Sequence, residues 1–197
     1  MNFKNQTLDG QELVLKDAEV NVLGPGLTLN RCTIVSEASA KALSFSGVSV
    51  VDSTFISKVT LADFQWCKVN LKGVNFLGRY SGCDFGQWEE FHGKTGGIVD
   101  CDFRGAELDN CRFMNCDVNS LAFPKWPYYT ITSPRDQASS IKASSWPGKL
   151  ELIMSIFADS PEDCVAVTGD ANGLLKRLGG SEEEFKAALL QLDGIIC

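Results

Sequence analysis

The chain has 197 residues, with 25 Asp and Glu against 18 Lys and Arg and a net charge of −7. That balance disfavours direct nucleic-acid binding, which needs a basic stripe to neutralise phosphates. No apolar run is long enough to span a bilayer and the first ten residues carry no leader pattern, so no membrane contact and a cytoplasmic location are expected.

From residue 13 the apolar residues recur with a period of five. Leu13-Val14-Leu15 and Ala18-Glu19-Val20 begin it, and it resumes after Gly24-Pro25-Gly26 at Leu27-Thr28-Leu29 and Cys32-Thr33-Ile34. An extra residue near Lys41 shifts the phase to Phe45, Val50 and Phe55, and a second one leads to Leu61, Trp66, Leu71 and Phe76. Phe64 and Trp66 are bulky enough to make the repeat irregular there. The register lapses past Phe76, touches Cys83-Asp84-Phe85, and lapses again over residues 86–95, which read as a protruding inserted loop carrying Trp88 and Phe91.

Residues 96–125 then form six units in phase, with centres Ile98, Phe103, Leu108, Phe113, Val118 and Phe123. Two positions before each centre stands a small or apolar residue: Gly96, Cys101, Ala106, Cys111, Cys116 or Leu121. Neither a helix nor a strand explains the spacing. Five steps of about 100° scatter the centres around a helix, and an odd spacing alternates faces in a strand. The pattern resembles the pentapeptide-repeat family, degenerate in places, with Cys101/Ala106/Cys111/Cys116 at its small inward position and Phe103/Leu108/Phe113/Val118 at its central one. The resemblance implies a mainly β fold, a right-handed, four-sided parallel β-helix over residues 1–123. At about 20 residues per coil, residues 13–123 would make roughly five to six coils. Such a rod has open backbone edges at its ends, which need covering.

Residues 124–197 are expected to supply that cover as a mostly helical cap. Pro124 and Pro127 end the ladder, since proline lacks the donor, and residues 128–132 alternate enough for one last strand. Residues 133–145 read as loop or irregular helix, and 149–157 as a helix apolar on all sides. Ser160-Pro161-Glu162-Asp163 has the form of a helix start. Residues 174–178 end at Gly179-Gly180, Ser181-Glu182-Glu183-Glu184 is a capping box, and the last helix carries a stripe of Phe185, Ala188, Leu189 and Leu192. That stripe suits packing against the solenoid end. Its alternative is a homodimer contact, as the gyrase-protecting branch of the family uses a C-terminal element to pair rods.

Catalytic patterns are missing from the sequence. The eight cysteines include no Cys-x-x-Cys pair and five occupy small inward positions, as reduced core residues do. The lone His92 has no partner at a recognisable spacing, and no nucleophile elbow, phosphate loop or metal-ligand motif occurs. No enzymatic activity, cofactor or metal is expected. Charge is more informative: positions 84–117 hold eight acids against three bases. Two functional classes follow, both leaning on the resemblance. The first is an inhibitory binding protein, most concretely an immunity protein that occludes the active site of a bacterial toxin. Its expected contacts with a basic cleft are Asp84, Trp88, Glu89, Glu90, Phe91, His92, Asp100, Asp102, Glu107 and Asp109. The second is a DNA-mimicking topoisomerase-binding protein like the fluoroquinolone-resistance members of the family. A scaffold that merely presents surface is the plainest reading.

Overall fold

In a computed structural model, which describes residues 1–88 and 96–197, the chain enters as three short strands, β1 (Asn2–Phe3), β2 (Thr7–Asp9) and β3 (Glu12–Leu15). It repeats that cycle as β4 (Asn21–Leu23), β5 (Leu27–Asn30) and β6 (Thr33–Ser36). A third cycle, entered through a 3-10 turn at Ala40–Ala42, gives β7 (Leu43–Phe45), β8 (Val48–Val51) and β9 (Thr54–Ala62). Next come β10 (Val69–Lys72), β11 (Asn75–Ser81) and β12 (Asp84–Gly86), then β13 (Gly97–Val99), β14 (Ala106–Asp109) and β15 (Arg112–Met114). Equivalent strands stack in parallel, β1-β4-β7 on one side, β2-β5-β8-β10-β13 on the next and β3-β6-β9-β11-β14 on the third.

Five stacked strands in each long sheet make about four turns of a parallel β-solenoid. That is fewer than the five to six coils expected, because the step through the insertion takes more chain and the pass from Asp102 to Ala122 adds only an isolated bridge to the stack. Thr7, Thr28, Ser49 and Asn70 pair in succession at an even spacing, and the step from Asn70 to Gly97 is longer. The surplus in that last step falls in the expected insertion. Of residues 86–95, Gly86 still belongs to β12 and the Gln87 amide donates to the Met114 carbonyl at 3.1 Å. Glu89, Glu90, Phe91 and His92 lie outside the described residues.

Each coil turns one corner at a residue with left-handed backbone. Gly10, Arg31, Asp52, Gly73 and Asp100, with φ of 61°, 51°, 45°, 63° and 55°, form one such column. Arg31, Asp52 and Gly73 donate their amides to carbonyls of the next coil, those of Val51, Lys72 and Val99, at 2.9–3.0 Å. Gly, Asp and Asn tolerate this conformation best. Gly78 marks an irregular place, the bulge between β9 and β11. Its φ is 98°, and a Cβ there would stand 2.1 Å from the Ser57 carbonyl oxygen.

The alternation of the strands sends one row of side chains into the bore. Phe76 and Phe103 stack at 4.6 Å between centroids, Trp66 and Phe85 at 5.6 Å, and Phe85 and Phe113 at 5.1 Å. Stacked rings on successive coils bury large apolar area and add about 0.5–1.5 kcal/mol per pair beyond it. Trp66 and Phe64 both fit inside, because the chain dispenses with a strand on the β1-β4-β7 side at that level. Val20 departs from its expected inward role and is 59% exposed. Asn21 turns in beside Leu23 instead, its side-chain amide donating to the carbonyls of Lys16, Glu19 and Ala42.

Past the last coil the chain builds β16 (Tyr128–Thr132), α1 (Ala138–Ala143), α2 (Glu151–Ala158), β17 (Cys164–Asp170), α3 (Ala171–Leu178), α4 (Glu182–Leu189) and β18 (Ile195–Ile196). The Ser160–Asp163 segment does not open a helix. It is a turn leading into β17, where Val165, Val167 and Thr168 suit a strand that pairs on both edges, antiparallel to β15 and to β16. That double pairing outweighs the local capping signal. The other boundaries match the sequence signals. Gly179 ends α3 at φ 75°, the Ser181 hydroxyl accepts the Glu184 amide at 3.4 Å, and Phe185, Ala188, Leu189 and Leu192 are buried.

The α4 stripe packs on a second core with Tyr129 and Trp146, at 5.4 and 5.9 Å from the Phe185 ring, and so is covered within the chain. β15 and β17 are the wall between the two cores. Phe113 and Ala166 face the bore, whereas Met114 and Val167 face the second core. Thr168 receives the Cys111 amide on its hydroxyl at 3.1 Å and donates its own amide to the Cys111 carbonyl at 2.9 Å, so the last coil's backbone groups are satisfied by the cap. Deleting residues 124–197 should therefore expose the β15 edge and Phe113, and give a chain that aggregates in size-exclusion chromatography; a folded, monodisperse truncation would show that the edge needs no cover.

Candidate functional site

Of the residues expected to meet a partner, the described ones divide between the joint of the two cores and the outer faces of the coils. Asp84 on β12 is at the joint, with its side chain only 6% exposed. It stands directly beside Arg112 on β15, the neighbouring strand, and accepts two hydrogen bonds from that guanidinium, Nε at 2.7 Å and Nη2 at 3.0 Å. The Trp88 ring lies under the same guanidinium, 5.0 Å from centroid to Cζ, and packs half-buried against the second core. The Trp88 side chain is thus part of the joint, whereas a binding-loop anchor would project from it.

Among the described residues the remaining acids share no continuous bare face. Asp102 is ion-paired with Arg104 at 2.6 Å and Glu107 with Arg79 at 2.6 Å. Arg79 and Glu107 are direct neighbours on β11 and β14. Asp9 and Arg31 make a similar pair between the first two coils. Asp100 is exposed on a corner. Asp109 is partly buried beside the cap. In-register stacking explains the Arg79–Glu107 pair, because an outward position on one coil faces the same position on the next, about 4.8 Å away, whereas Asp102 and Arg104 meet within one coil. An acid over an arginine is favourable there and an acid over an acid is not.

Two large apolar residues of the cap are exposed on α2, which the sequence suggested was apolar on all sides. Met154 and Phe157 are buried, but Leu152 is 69% and Ile156 56% exposed, one helical turn apart on the same face. Beside them runs a cleft of ≈ 360 Å³ between the cap and a solenoid corner. Its apolar lining is Ile156, Phe157, Pro161 and Val167, and its polar lining includes Asp63, Asn110, Arg112 and Asp159. Asp63, Gly82 and Asn110 are successive left-handed corners, with φ of 54°, 64° and 52°. Asp159 is ion-paired with Lys142 at 2.6 Å. The repeat could not point to this cleft, since half of it comes from residues that repeat nothing.

Nucleophilic chemistry finds little support in the cysteines. Burial pushes the thiols of Cys101 and Cys164 up to about 11 and that of Cys116 up to about 12, so each is a protonated packing group at neutral pH. Among the described residues no three His, Cys, Asp or Glu side chains are grouped to hold a metal ion, and no helix is long and apolar enough to cross a membrane.

Two substitutions probe the joint. Arg112→Met leaves the Asp84 carboxylate buried without its partner and should cost about 3 kcal/mol in denaturant unfolding, while the double change Asp84→Leu/Arg112→Met should recover most of that loss. Additive losses would mean that the pair contributes no coupling. Burial holds the Asp109 carboxyl above its ordinary value, with Arg177 pulling the other way. The folded chain then binds more protons than the unfolded one just above the ordinary carboxylate range, and stability falls as pH rises through that window. Asp109→Asn should accordingly raise Tm at about pH 7 and lose that advantage below about pH 4; a gain of equal size at both would exclude ionisation as its cause.

No protein-family model, curated protein or solved structure matches this chain.

Proposed function

We propose that this chain is a degenerate pentapeptide-repeat protein that acts without catalysis, binding another protein as an inhibitor. Its most concrete form is an immunity protein that neutralises a bacterial toxin in the cytoplasm by occluding the toxin's active site. The observation that carries the reading is the pair Leu152 and Ile156, held exposed on a helix of the cap beside a formed cleft. Large aliphatic side chains displayed together on a rigid surface are what a partner desolvates on binding. The solenoid supports the reading by fixing the cap through a shared sheet, so that little ordering entropy opposes association.

The partner expected to have a basic cleft still fits the net charge of −7. The acids that would face it are fewer than the composition suggested, since Asp84, Asp102 and Glu107 are already matched by arginines. Those matches also weigh against the DNA-mimicking alternative, which requires an uninterrupted run of negative charge. The test is affinity capture of the tagged full-length protein from a native bacterial lysate, followed by reconstitution. The expected result is a toxin domain bound at equal stoichiometry and inhibited by the purified protein. Recovery of a topoisomerase subunit whose supercoiling is blocked, or a bound protein whose activity is unaffected, would overturn the immunity reading.

A further inference from the structure

We infer that the first coil pairs with the first coil of a second copy of this chain, along the free edge of β3 and in a register centred on Val14. Such a dimer is independent of the inhibitor reading above. β1, β2 and β3 are each the outermost strand of their sheet, and among the described residues no strand covers them as β17 covers β15. The inward columns show the same gap. Leu8, Leu29, Val50, Leu71 and Ile98 form one column and Phe3, Leu23 and Phe45 another. All are buried except Leu8 and Phe3, the two that begin the columns and have no coil beyond them.

Backbone direction decides what the edge offers. The carbonyls of Gln11 and Leu15 accept the amides of Thr33 and Glu37, on the second coil, at 2.9 and 2.8 Å. Successive residues of a strand direct their backbone groups to opposite sides, so those of Glu12 and Val14 point away from β6, where no strand lies among the described residues. β3 has neither a proline nor a bulge to block pairing there. An antiparallel copy related by a two-fold axis at Val14 sets Val14 opposite Val14 and Glu12 opposite Lys16, and the outward groups of the two edges then meet in hydrogen-bonded pairs. The backbone alone would also allow an axis at Leu13 or Leu15, and charge selects between them. Glu12 and Lys16 are exposed and belong to no ion pair among the described residues, and Lys16 is fixed just beyond the strand by the Asn21 side-chain amide, which donates to its carbonyl at 2.9 Å. The coil's other acids are engaged within the chain, Asp9 by Arg31, Asp17 by the Ser39 amide and Glu19 by the Met1 ammonium group. Lys4, the remaining base, stands between β1 and β2. Only the axis at Val14 matches Glu12 with Lys16, and symmetry makes that match twice.

The test is sedimentation equilibrium of the full-length protein over a wide concentration range, where the mass should approach twice the 21.5 kDa of one chain. Glu12→Lys sets like charges opposite each other at both symmetric contacts and should weaken the dimer at least tenfold. The exchange Glu12→Lys/Lys16→Glu should restore it to within threefold. Val14→Pro removes an amide that points away from the rod, a change that edge strands tolerate, and should give a folded monomer. Circular dichroism and Tm of the three variants should match those of the wild-type monomer. Hydrogen-exchange protection of the Glu12 and Val14 amides should rise with protein concentration. A wild type that stays monomeric throughout, or a dimer that Glu12→Lys and Val14→Pro leave intact, would overturn the pairing. Loss of the dimer in Glu12→Lys without recovery in the exchange would overturn the register. If the two amides become protected only when a captured partner is added, that partner takes the edge and self-pairing fails, whatever becomes of the inhibitor reading.

Discussion

Everything beyond the last coil depends on one strand pairing, β17 laid antiparallel along β15. A parallel solenoid satisfies the backbone of each coil with the coils above and below it, so its final strand offers a row of unpaired donors and acceptors. Here the chain turns back and supplies the missing neighbour itself. Because successive residues of a strand face opposite ways, Phe113 and Ala166 complete the bore while Met114 and Val167 begin the second core. The same pairing covers the edge, closes the hydrophobic interior and fixes the orientation of the cap. Association of a helical cap by side chains alone would leave the Cys111 carbonyl and the Asn115 amide unmatched; in this sheet they meet the Thr168 amide and the Asp163 carbonyl.

Stacking in register has a second consequence, for charge. Carboxylates that look like one acidic run in the sequence are distributed by the coil over separate columns, and each column brings its own neighbours. Asp84 meets Arg112 and Arg79 meets Glu107 because the members of each pair are separated by one long coil, the one that holds the insertion. Were that coil as short as those before it, Asp84 would face a different side chain. The insertion thus sets the electrostatic surface of the rod as well as interrupting it. Trp88, which could serve a partner in a free loop, is instead drawn under the Arg112 guanidinium, where it shields the Asp84 pair from water.

The inward row was readable because five-residue periodicity in the bore has no competing explanation, and Phe45, Phe55, Phe76, Phe103 and Phe113 are all interior. Corner residues were less so: Val20 reads as a centre but the turn before β4 carries it outside, and Asn21 takes its place because local carbonyls satisfy its amide. In the cap, helix stops at Gly179 and starts at Ser181 obey short-range rules. The segment before β17 obeys them only in appearance, since a strand flanked on both sides gains more from its neighbours than a capped turn of helix does. Of the expected site residues, Asp84 and Trp88 are internal to the joint, Asp102 and Glu107 are paired and Asp109 faces the cap.

Read as a linear string, the chain already specified a mainly β solenoid with in-phase aromatic centres, reduced cysteines as small core residues and helices after the coils. Each of these follows from periodicity or from interactions within a few neighbouring positions, which a linear chain displays directly. The folded arrangement was needed to set the length of each coil, the partner of every outward charge, the strand that closes the rod and the exposure of Leu152 and Ile156. Those depend on which side chains lie together after one or more whole coils of intervening chain, and a single insertion changes all of them without altering any local pattern.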